Sequence, residues 1–201
     1  GLFNWFWFWL WREQPLRESL SLLYRELADY CEAKYSMLTQ HTDPEKALPP
    51  LLVRQQQAVD LITQCYQQMH MLSAHHNNDY KRMLRAFQEA LDLQEHISVS
   101  LHQPEEVQKL VERSHAEQVI RWTAQTVAAR LRVLADDILY HRLPTRFTMQ
   151  KQIGALEKIA HQHPDNPVGQ FCYWHFSRIA RVLRTQRPLY ARDLMAAKQR
   201  R

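Results

Sequence analysis

The chain has 201 residues, 23% of them charged, and a formal net charge of +5. That length fits one domain with a sizeable core, or two small ones. Only Gly1, Gly154 and Gly169 are glycines, which argues against a dinucleotide-binding crevice, a P-loop or a turn-rich β fold, since each needs glycine in its turns. Leu, Ala, Gln, Glu and Arg dominate, a vocabulary of helices. Cys31, Cys65 and Cys172 lie far apart and form no CxxC. Such a set suits a reducing compartment and argues against a disulfide framework or a cysteine metal site.

The first element is LFNWFWFWLW, residues 2–11, in which seven of the ten residues are Phe or Trp and only Asn4 is polar. An amphipathic helix would keep one face polar; this one has none. Large rings followed by Arg12 suit a membrane–water interface, with the basic residue on the cytoplasmic side. At about 1.5 Å per residue the run covers roughly 16 Å, too short for a hydrocarbon core of about 30 Å. It lacks the basic start and small-residue cleavage site of a signal peptide. The chain begins at Gly1, and the expectation is a fragment whose residues 1–11 are the cytoplasmic end of a transmembrane helix. Trp5, Trp7, Trp9, Trp11 and Arg12 are then its membrane-interface residues. The bland alternative packs these rings on the core or on a second copy.

Residues 12–201 read as a cytoplasmic, all-α domain, an antiparallel bundle of about six helices. Pro15 suits a first turn, and Leu16, Leu20, Leu23, Leu27, Tyr30 and Met37 recur at three and four. After a loop at HTDPEKALPP, a second helix runs from about Leu51 to Ala74 with Val59, Ile62, Tyr66, Met69 and Leu72 in register. Asn77 or Asn78 caps a third, which carries Tyr80, Leu84, Phe87, Leu91 and Leu101. A fourth, long helix is expected from Pro104 to His141, with Ile120, Ala124, Val127, Leu131, Leu134 and Ile138 as its stripe. The fifth covers about 147–161. Asn166-Pro167 starts a sixth, to about Arg187, and Pro188 begins a basic tail.

Eleven histidines invite a metal hypothesis. Helical ligand pairs need spacings of three or four, and no two histidines here have one. A di-iron bundle needs two Glu-x-x-His motifs; Glu112 to His115 is the single instance. Asp92/His96, Asp137/His141 and Glu157/His161 read as surface acid–His pairs. No nucleophile–base set can be named, and no catalytic residue, metal or cofactor is expected. His175 falls among Phe171, Phe176, Ile179 and Val182 and reads as a hydrogen-bonded core histidine. Lys34 lies in line with Leu20 and Leu27. It either snorkels near the helix end or contacts an anion or lipid headgroup.

Arg178, Arg181, Arg184 and Arg187 form a strip on the sixth helix. Three readings stand: a solvated face, a contact with an acidic partner or nucleic acid, or a contact with anionic lipid, where each charge is worth about 1 kcal/mol. Nucleic acid is disfavoured, because no aromatic platform or helix-turn-helix spacing accompanies the arginines. The lipid reading agrees with the aromatic start, since both ends would then face the same membrane.

Four long strings carry a resemblance: FWLWREQPLRESLSLLYRELADYCEAKYSMLTQHTDPEKAL, SLHQPEEVQKLVERSHAEQVIRW, LRVLADDILYHRLPTRFTM and HPDNPVGQFCYWHFSRIARVLRTQ. Through them the chain resembles the YccS/YhfK family of bacterial inner-membrane proteins, related to fusaric-acid-resistance and aromatic-acid efflux proteins. The resemblance implies a polytopic protein with two membrane halves, this segment being the cytoplasmic helical domain between them. Its partners would be the bilayer, the rest of the same protein and, in an oligomer, a second copy. An efflux-type role follows by analogy, and the resemblance brings no functional residues to this domain. The expectation is an accessory domain, for assembly or gating, of an inner-membrane transporter. The alternative is a soluble interaction module that uses the Arg strip.

Overall fold

The computed structural model describes residues 1–40, 42–73, 77–99 and 104–199; the side chains at 5, 6, 8–10, 104, 106 and 185–198 lie outside the described set. Among the described residues there are eight helices and no strand: α1 (Leu2–Trp11), α2 (Gln14–Thr39), α3 (Pro44–Leu72), α4 (Asn78–Ser98), α5 (Pro104–Ser114), α6 (Glu117–Leu139), α7 (Gln150–Gln162) and α8 (Pro167–Gln199). The all-α bundle read from the sequence is the fold observed.

α2 is the axis of the bundle and packs against α6, α3, α4 and α5. Leu16, Leu20, Leu23, Leu27 and Tyr24 are all fully buried, and so are Cys31 and Tyr35 on its other sides. A helix apolar around most of its circumference belongs inside. α3 returns antiparallel to α2 and α4 runs parallel to it, since Arg17, Tyr24 and Lys34 meet Asp79, Ala86 and Ile97 in the same order. α6 runs antiparallel, with Arg132 holding Asp29 at 2.9 Å and Glu32 at 2.7 Å. α7 and α8 pack together and close the side formed by α4 and α6.

Side-chain caps mark three of the helix starts. The Asp43 carboxylate accepts from the Glu45 N–H at 3.1 Å, Asn77 from Tyr80 at 2.7 Å, and Asn166 from Val168 at 3.0 Å.

Four details depart from the expectation. α3 begins at Pro44, not near Leu51, and continues through Pro49 and Pro50, which sit in its second turn and each forfeit a helical hydrogen bond. Its buried line is Leu51, Ala58, Cys65 and Leu72, while Val59 and Tyr66 of the expected stripe are exposed. The seven-residue spacing was the better guide there. α8 likewise runs through Pro188 to Gln199.

The long fourth helix is in fact two, α5 and α6, broken at His115. His115 has φ 52° and His141, just past α6, has φ 55°. Both follow the same pattern of helix termination. The Ala116 N–H returns to the Val111 carbonyl at 3.5 Å, and the Arg142 N–H to the Asp137 carbonyl at 2.8 Å. This is the six-to-one bond of a left-handed helix terminus, a position usually given to glycine. In a glycine-poor chain two histidines occupy it. The exposed His115→Gly change relieves the Cβ strain and is expected to stabilise the fold by about 0.5–1 kcal/mol; urea unfolding of the two proteins measures it.

Candidate functional site

α1 carries the residues read as a membrane interface. Leu2 and Phe3 are 94% and 76% exposed, and Trp7 and Trp11 are about half exposed on one face, their rings 5.6 Å apart. The side chains of Trp5 and Trp9 lie outside the described set. Arg12 continues in helical conformation, so α1 passes almost directly into α2. The Glu13 carboxylate accepts from the Asn77 amide at 2.6 Å and ties this junction to the start of α4. Among the described residues no helix is long and apolar enough to cross a membrane.

The basic strip lies on the outer face of α8, opposite the buried Cys172, Phe176, Ile179 and Leu183. The Arg178 guanidinium sits 3.6 Å from the ring centre of Trp174, a cation–π stack on an exposed indole. Arg181 and Arg184 line a groove of about 330 Å³ with Thr148, Gln150, Glu157 and Ser177. The Arg187 side chain lies outside the described set. The 140–149 segment lines this groove at one end and packs beside Arg17 at the other. The Gln152–Thr126 bond at 3.2 Å sets the groove beside the middle of α6, whereas Arg17 meets Ile138 in that helix's last turn.

Lys34 is 5% exposed, and its ammonium donates to the carbonyls of Ile97 and Val99, the latter at 2.7 Å. It thus closes the end of α4, where the helix dipole favours a cation. Burial lowers its pKa to about 8, which leaves it mostly charged at neutral pH. His175 is nearby and 1% exposed, stacked on Phe171 at 5.2 Å and edge-on to Phe176 at 5.7 Å. Burial first, then the Lys34 charge, pushes its pKa down to about 3, so the ring is neutral. The core placement was foreseen, but the expected hydrogen bond is absent at Nε2, which has no partner. Cys31 and Cys172 are buried, and burial lifts both thiols to about 12, far from a reactive thiolate.

Among the described residues no group of three His, Cys, Asp or Glu is placed to hold a metal ion. Two of the expected acid–His pairs take other partners. Asp137 binds Arg142 at 3.3 Å, and the His161 ring meets the Glu157 backbone carbonyl at 2.8 Å. Sequence reading passed over Arg17 and took Asp137 for a surface partner of His141, yet both are buried. Register would have found them. Arg17 lies seven residues before Tyr24 and fourteen before Cys31, and Asp137 lies seven after Arg130 and fourteen after Thr123.

The structure is thus an exposed aromatic helix joined to an all-α bundle. Residues 1–194 match the family described as FUSC-like inner membrane protein yccS, and the chain belongs to that family. It is 94% identical over all 201 residues to an uncharacterised protein of Escherichia coli (strain K12), YhfK. The chain covers 29% of that protein's length. No solved structure matches.

Lys34 and His175 each yield a test. Lys34→Met leaves the Ile97 and Val99 carbonyls unpaired and is expected to cost about 1–3 kcal/mol, with faster amide exchange confined first to the last turn of α4. His175 takes up a proton below about 3 when folded and below its ordinary 6.5 when unfolded. Its contribution to stability is therefore complete above pH 6.5 and falls as the pH drops towards 3, by at most about 1.4 kcal/mol per unit. His175→Phe should lose that part of the acid slope, as urea titrations at pH 7, 6 and 5 would show.

Proposed function

We propose that this chain is the cytoplasmic helical domain of an inner-membrane, transporter-type protein, with residues 1–11 as the cytoplasmic end of a membrane helix and residues 12–201 as an accessory domain for assembly or gating. The reading assigns it no catalysis of its own. Its main support is α1. A helix of this composition, with Leu2, Phe3, Trp7 and Trp11 exposed, is stable in lipid and poorly matched to water. Family membership adds the inner membrane as the setting. On this reading anionic headgroups would meet the exposed arginine strip of α8, Arg178, Arg181, Arg184 and Arg187.

The alternative of an interaction module for an acidic partner rests on the same arginines. Arg178 stacks on Trp174, which bears equally on both readings. Flotation with vesicles separates the two. The 201-residue chain should float with neutral and, more strongly, anionic vesicles. Replacing Trp7 and Trp11 by Ser should abolish flotation with neutral vesicles, whereas Arg178, Arg181 and Arg184 to Ala should remove only the anionic enhancement. Failure of the unaltered chain to float, with salt-dependent binding to an acidic polymer lost in the triple Ala variant, would establish the interaction module instead.

A further inference from the structure

α7 and α8 run antiparallel, with Gly169 close against Ala160 and the Gln170 amide donating to the Ala160 carbonyl at 3.0 Å. Beyond that close approach the two helices part, and the groove of about 330 Å³ opens between them to solvent. At one end Arg181 and Arg184 stand beside Thr148 and Gln150. At the other is Glu157, about 10 Å further along α7. Gly154 lies between them, where even an added Cβ would meet nothing within 4 Å.

Charge around the groove is one-sided. Neither guanidinium has an ion-pair or hydrogen-bond partner among the described residues, and neither has the Glu157 carboxylate. Arg178, Arg181 and Arg184 follow one another at steps of three, and like charges so spaced repel by about 0.2–0.5 kcal/mol a pair. From Ile138 to Arg192 the sequence holds nine Arg or Lys and two acids, Glu157 and Asp165. Asp165 lies in the loop past the end of α7, away from the arginines. α6, which meets α7 through Thr126 and Gln152, carries no acid between Glu117 and Asp136. The lining comes from α7, α8 and the residues just before α7, so the arginine end has no counter-charge of its own.

Two free guanidiniums match a phosphate monoester, which carries a charge of about −1.5 to −2 at pH 7 and three strong acceptor oxygens. The groove is larger than a phosphate and reaches the lower edge of small-molecule sites, about 300–1,000 Å³. The anion therefore carries a body, which passes Ile153 and Ala180 and ends at acceptors. These are the Glu157 carboxylate and the Ser177 hydroxyl, whose proton is already given to the Tyr173 carbonyl at 2.6 Å. Acceptors call for a donor, and exposed Lys151 and Lys158 on the same helix disfavour a cationic one. We propose that this groove binds a small polyol phosphate, its phosphate on Arg181 and Arg184 and a hydroxyl donating to Glu157. A soluble ester and a lipid headgroup can both present that chemistry. The site does not depend on α1 entering a membrane.

Calorimetric titration of the 201-residue chain with glycerol 3-phosphate, inorganic phosphate and glycerol, at constant ionic strength, tests it. Ligands this small bind on a scale of about millimolar. Glycerol 3-phosphate should fill one site roughly tenfold more tightly than inorganic phosphate, the gain of one hydrogen bond to a charged acceptor, and glycerol alone should not register. Arg184→Gln should weaken both phosphates roughly tenfold. Glu157→Gln should erase the preference for the ester without weakening inorganic phosphate. Both positions are exposed, so neither change disturbs the core. Arg178→Gln removes the same charge outside the groove and should leave both affinities within about twofold. Vesicles bearing phosphatidylinositol 4-phosphate that displace the ester, where phosphatidylcholine vesicles do not, identify a headgroup as the source; no displacement identifies the soluble ester. The inference is overturned if neither phosphate binds, if the two bind alike, or if Arg178→Gln weakens binding as much as Arg184→Gln.

Discussion

The structure depends on how one helix is buried. α2 is enclosed on nearly all sides, yet it brings two cations inside, Arg17 near its start and Lys34 near its end. A buried charge is tolerable only when it is hydrogen-bonded and opposed. Both cations meet that condition in the same way, by donating to carbonyls at the ends of neighbouring helices. Arg17 reaches Ile138 in the last turn of α6, and Lys34 reaches Ile97 and Val99 at the end of α4. These carbonyls have no partner within their own helices. Each pairing therefore satisfies two buried needs at once and fixes where α4 and α6 stop relative to the axis. Register in this bundle is set by α2's polar ends as much as by its leucines.

Outer ion pairs reinforce that arrangement without deciding it. Arg132 spans Asp29 and Glu32, and Arg54 approaches Glu26 and Asp29 at 3.6 Å, all at partly exposed positions. Pairs of this kind are individually worth about 0–1 kcal/mol. The Arg132 cluster is firmer, because two carboxylates converge on one guanidinium and raise its pKa further. Arg130 works on another scale. It is buried and donates to the Thr145 carbonyl at 2.8 Å while lying 5.0 Å from the Phe147 ring centre. It thereby holds the 140–149 segment against α6, and that segment in turn forms one wall of both the cleft beside Arg17 and the groove.

Helical periodicity made most of this fold legible. The Leu16–Met37 stripe, the Ile120–Leu134 stripe and the caps at Asn77 and Asn166 were readable because each is a local relation between near neighbours, whereas Asp43, taken as loop, was missed as a cap. What escaped was non-local or unconventional. The stop at His115 carries no glycine, and a histidine in left-handed conformation announces itself only through the returning Ala116 bond. Lys34 could be placed on a buried line but not given its task, since its acceptors lie 63 and 65 residues away. Arg17 and Asp137 escaped for the same reason. Each looks like an ordinary helical charge until the third helix arrives. The aromatic run was legible as composition, and Trp7 and Trp11 on it are exposed.

The junction of α1 with the bundle concentrates these threads. α1 enters α2 through Arg12 and Glu13 with no loop between, so a displacement of α1 along its axis is felt directly at Arg17, about one turn further on. Arg17 is the residue that closes α6 and faces the cleft, and its neighbour Glu13 is bound to Asn77 at the start of α4. A lever of this kind needs a stiff arm and a soft seat. The arm is the near-continuous helix. The seat is the incompletely paired Arg17–Asp137 cleft, whose polar groups lose least from a small shift. Two sites are coupled when one element has two arrangements that both can bias. In this fold the first turn of α2 is the element that touches both, through Arg17 on Ile138 and Glu13 on Asn77.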